Sequence, residues 1–241
     1  MVPGWDLASS EAAVQLSERF PQLISPGVGV HPHHAAEADE GAWARLEALA
    51  ADPRVRAVGE IGLDFFRNLS PPDVQRDAFA RQLDLARRVG KPVLVHDRDA
   101  HEAVTGALLA WTQGAAVSAR GGSSTLPGAA RAEGVLHCFS GDAEMAATLA
   151  VRGFPVSFAL PVSFRSAIGP RAAAVQLADD AILVETDAPY LGPGSDRRNE
   201  PTTTLRVAAE LARLRGTSAE TIARVANANL GRLLQADPIG A

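Results

Sequence analysis

Six short apolar runs punctuate the chain: 27–31 (GVGVH), 56–63 (RAVGEIGL), 92–96 (PVLVH), 134–139 (GVLHCF), 154–160 (FPVSFAL) and 181–186 (AILVET). Each is rich in Val, Ile, Leu or Phe, and none alternates strictly. That is the pattern of parallel strands buried on both faces. Between them lie segments with helical spacing. Over 72–89, Phe79, Leu83, Ala86 and Val89 share one stripe, with Gly90 as the stop and Pro92 just beyond. The last helix is predicted to open at Thr217, with Glu220 completing a capping box. It carries Ile222, Val225, Ala226, Leu230, Leu233 and Leu234 on one face. Residues 113–134 (QGAAVSARGGSSTLPGAARAEG) lack any hydrophobic period and read as a surface loop inside a single domain, 1–241.

Strand and helix repeated in this way predict a parallel α/β fold, as a closed barrel or an open doubly wound sheet. Polar residues separate the two. Five runs end on or just before His31, Glu60, His96, His137 or Asp187. In a (β/α)8 barrel the strand C-termini converge on one mouth, whereas an open sheet would scatter these residues. The expected fold is therefore a TIM-type (β/α) barrel. Six strands are legible, and residues 1–6 supply the tail of a seventh, with Ser9 or Ser10 capping the helix that follows. A full barrel takes about 250 residues and eight strands. The barrel is thus expected to be incomplete at its N-terminus, with six to seven strands of the eight, and to leave the edge of the last strand, 181–186, unpaired.

Composition adds limits. Hydrophobic residues make up 46% and charged residues 21% of the 241, a globular balance that excludes disorder and fibrous classes. No apolar run is long enough for a membrane span, and residues 1–25 show no basic-then-apolar leader. The single cysteine, Cys138, has no partner for an internal disulfide and suits a reducing, cytoplasmic setting. Net charge is −5, so a broad basic surface for gripping nucleic acid is absent.

The strand-end residues suggest metal chemistry. His96 and His137, beside carboxylates from other strands, suit first-row metals. Glu60 has two oxygens and can bridge two ions. Asp187 can ligate or accept a proton. Glu185, two residues back on the same strand face, is either a partner that orients a histidine or a buried carboxylate paired to a neighbouring strand. His31 and His33 follow a strand and are placed to touch phosphate or a leaving group, while His34 reads as loop surface. His101, near Asp99, caps or packs. Cys138 points away from His137 if both lie in a strand, so it reads as an inert thiol. Arg197 and Arg198, in the loop after the last strand, read as a phosphate site or a solvated charge run. No Walker motif, dinucleotide fingerprint or CxxC pair is present.

Together GVGVHPH, AVGEIGLDFF, PVLVHDRDAHE, GVLHCFSGD, SFALPVSFRSA, LVETDAPYL and RRNEP resemble the TatD family, metal-dependent DNases of the amidohydrolase-like barrels. The resemblance runs from about residue 4 to residue 234. It implies two divalent ions, whether Zn, Mg or Mn. Glu60 would bridge them, His96 and His137 would complete the second site, and Asp187 would belong to the first and take up a proton. It places His31, His33 and Arg198 against the substrate and makes DNA, as single strands or ends, the partner. The family opens with a strand ending in His-x-His that this sequence lacks; His31 and His33 have the spacing but belong to the later HPH segment. On that reading the first ion keeps only Asp187 and a share of Glu60, and activity is expected to be weak. The alternatives are a metal-dependent ester or amide hydrolase, such as an aminoacyl-tRNA deacylase, and a truncated barrel that only binds.

Overall fold

The structure, a computed structural model, describes residues 1–118, 132–193 and 198–234. The chain forms two compact units, Met1–Ala129 and Ala130–Ala241. In both, parallel strands alternate with helices, the α/β class expected from the apolar runs.

The first unit contains strands β1 (Val2–Pro3), β2 (Pro26–Val28), β3 (Ala57–Asp64) and β4 (Val93–Arg98). They pair in chain order, in registers such as Pro3↔Gly27, Val28↔Val58 and Ile61↔Val95. Helices α1 (Leu7–Arg19), α2 (Glu40–Ala51), α3 (Pro72–Val89) and α4 (His101–Ser118) connect or follow them. Val58, Ile61, Val93 and Val95 are wholly buried, as continuous apolar strands require. The predicted stub is β1, but the cap of α1 differs from expectation. Asp6 is the N-cap and accepts from the Ser9 amide, while Ser9 Oγ accepts in return from the Asp6 amide. Ser10 is instead buried, its hydroxyl set between the Gly29 amide and carbonyl. Helix α3 has the predicted bounds, and Gly90 ends it in the left-handed region. Helix α4 runs on to Ser118, so 113–118 is helix, not loop; residues 119–131 lie outside the described ones. Lys91 closes the C-terminus of α2, its Nζ donating to the carbonyls of Ala50 (2.5 Å) and Asp52 (2.6 Å).

Two glycines shape β3. The register with β4 shifts between Val58 and Ile61, and Gly59 and Gly62 have φ of 155° and 140°. A Cβ at Gly62 would lie 2.0 Å from the His96 carbonyl oxygen, so β4 approaches as closely as it does because nothing projects there.

The second unit contains β5 (Gly134–Leu136), β6 (Val156–Phe158) and β7 (Ile182–Val184), again parallel, with Leu136↔Val156 and Ser157↔Leu183 in register. Helices α5 (Ala143–Ala150), α6 (Ile168–Gln176), α7 (Thr204–Arg215) and α8 (Ala219–Leu234) complete it. Its core holds Leu149, Phe154, Phe158, Ile182, Leu211 and Ile222. Ser218, not Thr217, caps α8, its hydroxyl accepting from the Thr221 amide. Farther along α8, the buried Asn229 donates to the carbonyls of Asp179 and Ile182 and so ties the helix to β7. No helix among the described residues is long and apolar enough to cross a membrane.

Candidate metal centre

Glu60 and Asp64 are four residues apart on β3, and residues i and i+4 of a strand face the same way. Gly62, between them, projects nothing. Its partner in the ladder is His96 on β4. The imidazole of His96 therefore lies between two carboxylates, with Nδ1 3.0 Å from Glu60 Oε1 and Nε2 3.3 Å from Asp64 Oδ2.

Two more histidines arrive from the segment after β2. That strand stops at Val28, short of the predicted 27–31, and His31 becomes the N-cap of a 3-10 turn, Pro32–Glu37. His31 Nδ1 accepts from the His33 amide at 3.1 Å, so the ring carries its proton on Nε2, which lies 3.2 Å from Glu60 Oε1. His33 Nε2 lies 2.7 Å from Asp64 Oδ2. The ring centroids of His31 stand 4.2 Å from those of His33 and 4.4 Å from those of His96, both edge-on.

Helix α3 holds this segment from behind. Gln82 Oε1 accepts from the Val30 amide at 2.7 Å, and its Nε2 donates to the Val30 carbonyl at 3.0 Å. Gln75 makes the same double bond to Asp64 and also donates to the Ser70 carbonyl. Ser70 Oγ in turn donates to the His33 carbonyl. Both glutamines are buried and fully used.

Burial makes a charged His31 costly and lowers its pKa to about 4, against the pull of Glu60. Burial alone would raise the Asp64 carboxyl. Hydrogen bonds from His96, the Arg67 amide and His33 outweigh it and hold the group well below the usual carboxylate range.

His31, Glu60 and His96 each offer one donor atom, and the three atoms lie within 4.8 Å of one another. Two imidazoles and a carboxylate suit Zn or Mn better than an all-oxygen cage would. The residues present therefore fit a divalent ion. His31 is the least suited of the three, because its Nε2 bears a proton while Nδ1 is engaged. The structure thus brings together Glu60, His96, His31 and His33 of the residues singled out from sequence.

His137, Asp187 and Arg198 belong to the second unit. His137 Nδ1 is 3.3 Å from Glu185 Oε1, and the Cys138 amide donates to that same oxygen at 2.5 Å. Of the two readings of Glu185, the partner that orients a histidine describes this contact. Strand β7 ends at Val184 and Asp187 has φ of 60°, so the alternation expected to place Asp187 and Glu185 on one face does not reach them. Cys138, with φ of 43°, likewise lies past the end of β5, and strand alternation does not set its direction relative to His137. The buried Asn199 donates to the Thr186 and Leu191 carbonyls and anchors the loop on which Arg198 is exposed. Arg197 lies outside the described residues. His101 pairs with Asp97 at 2.9 Å rather than with Asp99, and His34 pairs with Glu37. Sequence reasoning missed Asp64, Gln75 and Gln82. The signal for Asp64 was its i+4 spacing from Glu60.

The comparisons with known proteins agree with this frame. The family described as TatD related DNase matches residues 1–235. The "Uncharacterized metal-dependent hydrolase YabD" of Bacillus subtilis is 33% identical over 237 residues, covering 98% of this chain and 86% of its own length. The "3'-5' ssDNA/RNA exonuclease TatD" of Erwinia billingiae is 36% identical over 242 residues, covering 98% and 87%. Among solved structures, YJJV, a TatD homologue from Escherichia coli K12, superposes with a TM-score of 0.84 at 26% identity, over 98% of this chain and 85% of that one. The site residues lie on the strand ends and loops of a chain matched almost from end to end, and on that evidence this chain belongs to the TatD family.

Proposed function

We propose that the chain is a metal-dependent nuclease that removes nucleotides from single-stranded DNA or RNA, working from an end. The observation that carries this reading is the meeting of the Glu60 carboxylate and the His96 imidazole, Nδ1 to Oε1 at 3.0 Å, with His31 beside them. Support comes from relatives named as 3'-5' ssDNA/RNA exonucleases. Glu60 and His96 of the first unit, and His137 and Asp187 of the second, would be the residues that hold divalent ions. Such ions supply Lewis acidity toward water and offset charge on the phosphate. Glu185 orients His137. Asp187 would be the group that takes up a proton during hydrolysis. His31, protonated on Nε2, donates to a phosphate oxygen, and His33 and the exposed Arg198 orient the phosphate or the leaving oxygen. We place the single domain in the cytoplasm, a reducing compartment that suits a chain with one cysteine.

Release of nucleotides from single-stranded DNA and RNA, with and without Mg, Mn or Zn, tests the reading. Activity should need added metal, stop with chelator, and vanish in Glu60→Gln and Asp187→Asn. Silence on nucleic acid with hydrolysis of an ester or aminoacyl-tRNA would replace the nuclease with a deacylase.

A further inference from the structure

Asp64 has a side chain only 1% exposed, and all of its acceptor capacity is directed. Its Oδ1 accepts from the amides of Phe66 (3.0 Å) and Arg67 (2.7 Å). Its Oδ2 faces the Nε2 atoms of His33 and His96. Gln75 grips the Asp64 amide and carbonyl, so the backbone beneath the carboxylate is held on both sides. A carboxylate only accepts, so both Nε2 atoms must bear hydrogen. With hydrogen on Nε2, Nδ1 is the ring nitrogen turned to Glu60, and that atom lies 3.0 Å from its oxygen. A lone pair there and the carboxylate oxygen repel at this distance unless a proton or a metal ion stands between them.

We propose that Asp64 is a positioning residue that fixes the ring tautomer of His96, and of His33, so that His96 presents the Nδ1 lone pair to a cation shared with Glu60. The inference rests on the metal-site reading above but not on the substrate. It gives the site an order of assembly: Asp64 sets the hydrogen on the far nitrogen, and the near nitrogen is left for the ion. A carboxylate behind a ligating imidazole also makes it more basic and holds its plane. The same oxygen leaves His33 with its lone pair on Nδ1, making that ring an acceptor where His31 is a donor.

Asp64→Asn is the test, because the structure dictates how the amide must sit. The Phe66 and Arg67 amides need an acceptor, so the Asn oxygen takes the Oδ1 position and its NH2 faces the two histidines. His96 must then accept at Nε2 and carry its hydrogen on Nδ1, toward Glu60, where it occupies the position of the ion. Ring 15N shifts of the metal-free protein, followed upward in pH until the ring is neutral, should show His96 as the Nε2–H tautomer in the parent and Nδ1–H in the variant. Affinity for Zn or Mn, by calorimetry, should fall about 10- to 100-fold, with the melting transition retained. A parent His96 that carries hydrogen on Nδ1 alone overturns the proposal, and needs no variant to be seen. So does a folded Asn variant that binds metal as tightly as the parent. Neither readout involves nucleic acid, so an absence of nuclease activity beside the expected shifts would count against the substrate assignment alone.

Discussion

A buried histidine with one ring nitrogen engaged by a backbone amide holds a second proton poorly, and His31 is such a residue. Its folded pKa of about 4 lies below the unfolded value near 6.5. The unfolded chain therefore binds more protons below pH 6.5, and stability is lost as pH falls from about 6.5 to about 4, levelling off below. The shift corresponds to about 3–3.5 kcal/mol at most. Urea unfolding of the metal-free protein across this range should show the loss, and His31→Gln should flatten it. An unchanged slope in the variant would assign the acid sensitivity elsewhere. At this scale the sequence shows which polar residues of the first unit come together better than it shows their protonation. Glu60, His96, His31 and His33 stood out as polar residues at the ends of apolar runs. The tautomer of His31 depends on the amide of His33, and nothing local to Asp64 shows two histidines returning to it.

Helix α3 was the most legible element, since its stripe and its Gly90 stop follow from local spacing. Its function was hidden in two residues that interrupt the apolar pattern. Gln75 and Gln82 are seven apart, two turns along the helix, and both point inward with the stripe. Replacing Gln82 with Leu keeps the bulk but strands the amide and carbonyl of Val30 without partners. The expected cost is about 2–4 kcal/mol, from two backbone groups left buried and unsatisfied. It should fall on activity as well as on the denaturation midpoint, because Val30 directly precedes His31. A variant as stable as the parent would show that water or a shift of the loop replaces the glutamine. The strands were legible as runs, but their ends were not. His31, His137 and Asp187 lie beyond β2, β5 and β7, where capping and left-handed backbone replace the two-residue alternation. The cap of α1 is reciprocal for a related reason: Asp6 and Ser9 each bond the other's amide, so the residue three before the serine is the N-cap.

At the scale of the molecule, charge governs how a nucleic acid would meet this chain. With a net −5, a strand is not drawn onto a broad basic track. Binding would rest on the ions and a few arginines. For single strands the logarithmic salt slope is about −0.7 per phosphate contact. With two or three contacts, binding of single-stranded DNA to Glu60→Gln, by fluorescence anisotropy, should follow a slope no steeper than about −2. A slope of about −4 or beyond would reveal a longer phosphate track. The makeup of the positive charge has a further consequence. Of the 23 lysines and arginines, Lys91 is the single lysine, and its ammonium is occupied at the end of α2. The side chains thus offer one primary amine, half-buried and engaged by two carbonyls. Acylating labels, aldehyde fixatives and amine-tethered supports find little to react with, and footprints of a bound strand must be taken with dicarbonyl reagents that modify arginine. The enzymes that acetylate or methylate lysine side chains meet the same scarcity.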